Sequence, residues 1–139
     1  MFDEVVTKGI KNNKTDAFLL DIFCKKNKIR VFSLDKKHSK ISKNLVNRYG
    51  LDFGEAESIA LAIQLKKNCI LMDESLGRNI AKIFDIKPNG TLRFILELYN
   101  KNEINEAKVK FSIEELLGKN FRLDTEVLVK FWELYTILP

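Results

Sequence analysis

The acidic residues Glu55, Glu57, Asp73 and Glu74 fall in two tight pairs in the middle of this chain. Glu55 and Glu57 open the run Gly54-Glu55-Ala56-Glu57-Ser58-Ile59-Ala60-Leu61-Ala62-Ile63-Gln64-Leu65, and Asp73 and Glu74 close the run Asn68-Cys69-Ile70-Leu71-Met72-Asp73-Glu74. Gathered carboxylates, with no His and only an apolar-flanked Cys nearby, suit a hard divalent cation such as Mg²⁺ or Mn²⁺.

Such a site requires elements that bring the two pairs together. The first run predicts a buried helix over Glu55–Lys67, about 18 Å long. The second predicts a buried strand over Cys69–Asp73, roughly 13–16 Å long. A helix and the strand after it run in opposite directions within one α/β unit. The helix front and the strand end therefore share one sheet edge, the edge at which ligands bind in open α/β sheets.

Around this pair the spacing of apolar residues predicts an α/β fold with a mainly parallel sheet. Phe2 to Lys8 reads as a helix ending near Gly9. Thr15 or Asp16 opens a second, with Phe18, Leu19, Ile22 and Phe23 on one face. Ile29-Arg30-Val31-Phe32 has strand character. Lys36 to Tyr49 forms a basic helix stopped by Gly50, and Ser75 to Phe84 another helix. Ile86-Lys87-Pro88 suits an edge strand, because proline cannot donate to a central ladder. Asn89-Gly90 turns into a helix over Thr91–Asn100. Ser112 and Glu115 have the spacing of a capping box, opening a short helix that ends at Gly118. Asp124 caps a last helix with Val127, Leu128, Phe131, Trp132 and Tyr135 on its apolar face.

The 139 residues suit a single domain, divided into residues 1–53, a motif core 54–92 and C-terminal helices 93–139. With 45% hydrophobic residues the chain can bury a core, and no apolar run reaches the ~18–20 residues that would cross a bilayer. From the acidic start Met1-Phe2-Asp3-Glu4, with its short apolar run, no secretory signal is expected. Cys24 and Cys69 are expected as buried free thiols of a cytoplasmic protein. The net charge of +5 leans toward polyanionic partners, although a Lys-, Ile- and Asn-rich composition also follows from genome bias.

The segments Gly54–Ala62, Leu71-Met72-Asp73-Glu74-Ser75-Leu76-Gly77-Arg78-Asn79-Ile80-Ala81 and Asn89-Gly90-Thr91-Leu92 together resemble the PIN-domain superfamily. More narrowly, they resemble its prokaryotic PIN-like branch of unassigned function. The Phe121-Arg122-Leu123-Asp124 entry to the last helix resembles that branch too. The resemblance implies a three-layer fold and a Mg²⁺- or Mn²⁺-dependent endoribonuclease of VapC-toxin type. It implies RNA as substrate, an antitoxin protein and a second copy as partners, and no membrane association. Carried over, Glu4 matches an early-helix acid, and Glu55 the helix-head acid with Glu57 beside it. Asp73 matches the strand-end acid with Glu74 beside it. A first strand ending in Asp, and a second strand, belong upstream of Glu4 in the family. The expectation is therefore a domain lacking central strands, with an impaired acid cluster or a non-catalytic RNA- or protein-binding role through oligomerisation. No Gly-rich phosphate loop supports a nucleotide binder.

Each site residue also has a plainer role. Glu55 and Glu57 suit the first turn of any helix, Asp73 suits a strand-end turn, and Glu4 a solvated helix face. Arg78 could meet a phosphate or pair with Glu74. Lys36, Lys37, Lys40, Lys43 and Arg48 could follow an RNA backbone or simply be solvated. His38 is expected at the surface, and Thr91 as a helix cap.

Overall fold

The computed structural model describes residues 2–119, 121 and 125–137. Its elements are a π-helical turn Asp3–Thr7, α1 (Lys8–Lys11), α2 (Thr15–Lys25), α3 (Lys36–Tyr49), α4 (Phe53–Gln64), β1 (Cys69–Leu71), α5 (Ser75–Ile83), β2 (Lys87–Asn89), α6 (Thr91–Asn100), α7 (Glu106–Gly118) and α8 (Thr125–Ile137). The architecture is α/β, dominated by helices, with a parallel sheet of two strands in the order β1–β2. The ladder is flanked by bonds from Lys87 N–H to the Asn68 carbonyl and from Met72 N–H to the Asn89 carbonyl, both 2.8 Å. By contacts the chain forms two compact units, residues 1–70 with 74–88, and residues 71–73 with 89–139.

In the first unit α4 packs against α3 and α5. Ala56, Ile59 and Ala60 of α4 are fully buried. The small alanines let neighbouring backbones approach, which is why the helix favours Ala over larger apolar residues on that face. Helix α3 begins at Asp35, whose carboxylate accepts from His38 N–H at 2.8 Å, and stops at Gly50, whose φ of 71° favours a residue without Cβ. The Gln64 side chain clips the segment before α3. Its Oε1 accepts from Asp35 N–H at 2.9 Å and its Nε2 donates to the Ser33 carbonyl at 3.0 Å.

Several expectations change here. Ile29-Arg30-Val31-Phe32 does not join the sheet; Gln64 satisfies the backbone just beyond it, and Ile29, Val31 and Phe32 stay exposed. The first helical stretch ends at Lys11, two residues past Gly9. Gly9 is needed for packing, since a Cβ on it would stand 2.5 Å from the Ala17 Cβ. Helix α2 carries Phe18, Leu19, Ile22 and Phe23 as expected, but they are 44–52% exposed, and its buried contact is Ala17. Strand β1 is not buried: Cys69 and Leu71 are exposed, neither Cys24 nor Cys69 is in a disulfide, and Cys24 is only half-buried.

The second unit closes on Leu92, Ile95 and Leu96 of α6, Val109 and Ile113 of α7, and Phe131 of α8. Trp132 packs edge-on to Phe131 and Tyr135, at centroid distances of 5.2 and 5.4 Å, so Phe131 is core and Trp132 and Tyr135 pack against it half-buried. Helix α7 starts at Asn105, whose side chain accepts from Lys108 N–H at 2.9 Å; Ser112 therefore lies mid-helix and caps nothing. The expected cap Asp124 lies outside the described residues. No helix among the described residues is long and apolar enough to cross a membrane.

Candidate metal and nucleic-acid site

Helix α4 begins two residues earlier than its apolar pattern suggests, because Asp52 and Glu55 form a capping box. The Asp52 side chain accepts from the Glu55 N–H, and Glu55 Oε2 accepts from Asp52 N–H at 3.3 Å. The signal was present as Asp-x-x-Glu at 52–55, displaced by the stronger apolar run behind it. The box leaves Glu55 Oε1 buried with no hydrogen-bond partner. Burial raises the proton affinity of Glu55 above the ordinary Glu value, and the negative charges of Asp52 and Glu74 add to the effect, against the Asp52 N–H bond. Glu55 and Glu74 are thus brought within electrostatic reach of each other. Asp52 joins them, an acid that reading by sequence passed over.

Asp73 follows β1 and faces α6. Its Oδ1 accepts from Thr91 N–H at 2.8 Å and its Oδ2 from Thr91 Oγ1 at 2.6 Å. The backbone N–H groups of a helix's first turn have no intrahelical acceptor, so Asp73 satisfies one of them and lies in the favourable field of the helix N-terminus. Gly90 is the N-cap residue and Thr91 the first helical one, so Thr91 is not the cap residue itself. Each carboxylate oxygen keeps lone-pair capacity beyond its one bond to Thr91. Asp73 is exposed and held in a fixed orientation by two groups of one residue.

Glu57 is half-buried on α4, Glu74 is exposed as the N-cap residue of α5, and Glu4 is exposed in the first helical turn. Among the described residues, no group of three or more His, Cys, Asp or Glu side chains converges as a metal cage. Hard oxygen donors, an orphaned buried oxygen and raised proton affinity are nonetheless the properties of a carboxylate suited to a divalent cation. The fit rests on Glu55 with Glu74, and on Asp73 held by Thr91.

Helix α3 carries no acidic residue, and Lys36, Lys37, Lys40, Lys43 and Arg48 are all exposed. At about 100° per residue, Lys36, Lys40, Lys43 and Asn47 fall within roughly 60° of arc. Leu45 and Ser42 point the other way and are buried. His38 departs from expectation. Its side chain is 13% exposed, with Nδ1 2.8 Å from Asp35 Oδ1. That contact helps hold the Asp35 carboxyl below the ordinary range, after the backbone bond from His38 N–H. Arg78 is half-buried on α5.

Comparison with protein families matches a PIN-domain model to residues 1–136. The chain belongs to the PIN-domain family. No curated protein and no solved structure matches it. The match covers Glu4, Glu55, Glu57, Asp73, Glu74 and Thr91, the acids and hydroxyl that the PIN resemblance singled out.

Proposed function

We propose that this PIN-domain chain is a divalent-cation-dependent endoribonuclease of toxin–antitoxin type, with Asp73 and Glu55 as its principal carboxylates. Glu74, Glu57 and Glu4 act as supporting acids. The observation that carries this reading is Asp73, its two oxygens oriented by the N–H and hydroxyl of Thr91 at the front of α6. The Glu55 oxygen without a partner supports it. Mg²⁺ or Mn²⁺ bound by such acids supplies Lewis-acid activation of water and charge screening at a phosphodiester. The chain's own work is to fix Asp73 through Thr91, to keep Glu55 charged once a cation offsets its burial, and to guide the RNA backbone along Lys36, Lys37, Lys40 and Lys43, with Arg78 toward a phosphate.

The test is cleavage of single-stranded RNA by the purified chain with Mn²⁺. The expected result is slow cleavage, lost with EDTA and lost in Asp73→Asn. Robust cleavage that ignores the substitution would overturn the assignment.

A second reading is favoured by the exposed apolar face of α2, which no polar pattern explains. In it the chain binds a protein, a second copy or an antitoxin, without cutting RNA. Light scattering of wild type against Ile22→Ser separates the two. A dimer lost on substitution, with no Mn²⁺-dependent cleavage in wild type, would favour the binding reading.

A further inference from the structure

A groove of about 330 Å³ opens beside the residue that holds Asp73. Its wall is Thr91 and Ile95 of α6, and Phe111, Ser112 and Leu116 of α7, with Glu115 and Lys119 at its edge. The volume is at the small end of ligand clefts, room for a flat ring system but not for a helix. The lining is mostly apolar, and Phe111 is 52% exposed, on the side of α7 away from the buried Val109 and Ile113. Lys108 Nζ stands 4.9 Å from the centre of that ring. Lys119 lies one turn beyond Leu116, paired with Glu115 at 3.3 Å. A half-exposed ring with one ammonium group against it, and a second at the edge of the same groove, complements a π-face joined to phosphates.

We infer that this groove binds one unpaired base of a single-stranded RNA, stacked on Phe111, with its flanking phosphates met by Lys108 and Lys119. Thr91 lines the groove and at the same time donates its N–H and hydroxyl to Asp73. A base held there sets which phosphate lies next to the carboxylate, so the groove selects the cut site by the nucleotide beside it. The placement relative to cutting rests on the ribonuclease reading; the binding does not. A flat aromatic platform favours single strands, because a base within a duplex has no free face.

The experiment is fluorescence anisotropy of a labelled single-stranded hexaribonucleotide in EDTA, so that cleavage cannot contribute. Phe111→Ala is expected to weaken binding about 5- to 100-fold, the size of one lost base–aromatic stack. Phe111→Tyr is expected to keep wild-type affinity, and Lys119→Ala to reduce the salt dependence by about one phosphate contact. Phe111→Trp adds a reporter in the groove whose emission should be quenched by the oligonucleotide. Circular dichroism checks that each variant is folded. Binding unchanged by Phe111→Ala, no quenching in Phe111→Trp beyond that of wild type, equal affinity for duplex RNA, or displacement of RNA by no more than a generic apolar dye would each overturn the inference. Phe111-dependent binding without Mn²⁺-dependent cleavage keeps the groove and removes the nuclease reading. Asp73-dependent cleavage with binding indifferent to Phe111 does the reverse.

Discussion

At the front of α4, the Glu55 carboxylate is half-buried, uses one oxygen in its own capping box and leaves the other without a partner. At the front of α6, Asp73 is exposed and has one Thr91 donor on each oxygen. Both acids serve helix N-termini. The first does so from inside its helix at an electrostatic cost, because burial and the charges of Asp52 and Glu74 oppose its ionisation. The second does so from a strand end, where the N–H and hydroxyl of Thr91 fix its orientation. The contrast separates two properties that a catalytic acid cluster needs: a fixed carboxylate, and one whose charge calls for a counter-ion. Neither site has both.

The largest effect that would sharpen this contrast is at Thr91. Removing its hydroxyl in Thr91→Val leaves the backbone bond to Asp73 but frees Oδ2. We expect Mn²⁺ affinity and any cleavage to fall ~10–100-fold, the usual loss for a group that orients a ligand. Thr91→Ser should stay near wild type. If Val and Ser behave alike, Asp73 is not oriented in the way its geometry implies.

Glu55 should respond to pH. Folded Glu55 holds its proton more tightly than the unfolded chain does, so its contribution to stability is greatest in acid, below the ordinary Glu pKa. That contribution falls as pH rises through the ordinary value toward the raised one. Glu55→Gln keeps an oxygen for Asp52 N–H and removes the charge, so without metal its melting temperature should fall less between pH 4 and 7 than that of wild type. Added Mn²⁺ should raise the wild-type melting temperature near pH 7 by more than that of the variant, which keeps Asp73 but lacks the Glu55 charge. A wild type and variant with parallel pH profiles would show that the burial of Glu55 has no energetic consequence.

The smallest effect lies at the other end of α4. Lys66 ends that helix at a φ of 51°, and Lys67 N–H bonds back to the Ala62 carbonyl. Lys66→Gly should stabilise the chain by about 0.5 kcal/mol, the left-handed penalty less the added freedom of the unfolded chain. It should leave the Glu55 profile untouched, as chemical denaturation would show.

Much of this was legible because local physics decided it. Asp35 and Gly50 bracket α3, and the apolar spacing of Leu92, Ile95 and Leu96 marks α6 from Thr91 to Asn100. The missed features depended on partners distant in sequence. Nothing within Ile29–Phe32 reveals that Gln64, some thirty residues away, would satisfy the adjacent backbone. Ser112 and Asn105 both precede apolar residues, and packing of Val109 chose the earlier start. His38 sits in a basic run, yet the turn made by Asp35 draws its ring inward. For the site, residue types and spacing pointed to Glu55 and Asp73 as acids, but not to the bond between Asp73 and Thr91, since eighteen residues separate them.

The most direct measurement is calorimetric titration of Mn²⁺ into wild type and Asp73→Asn, with Thr91 intact in both. Saturable binding to wild type, weakened beyond the ~10–100-fold of an outer-shell loss in the variant, is the expected result. Equal binding by the two proteins, or a wild type that takes up no Mn²⁺, would contradict a metal role for the carboxylate at the end of β1.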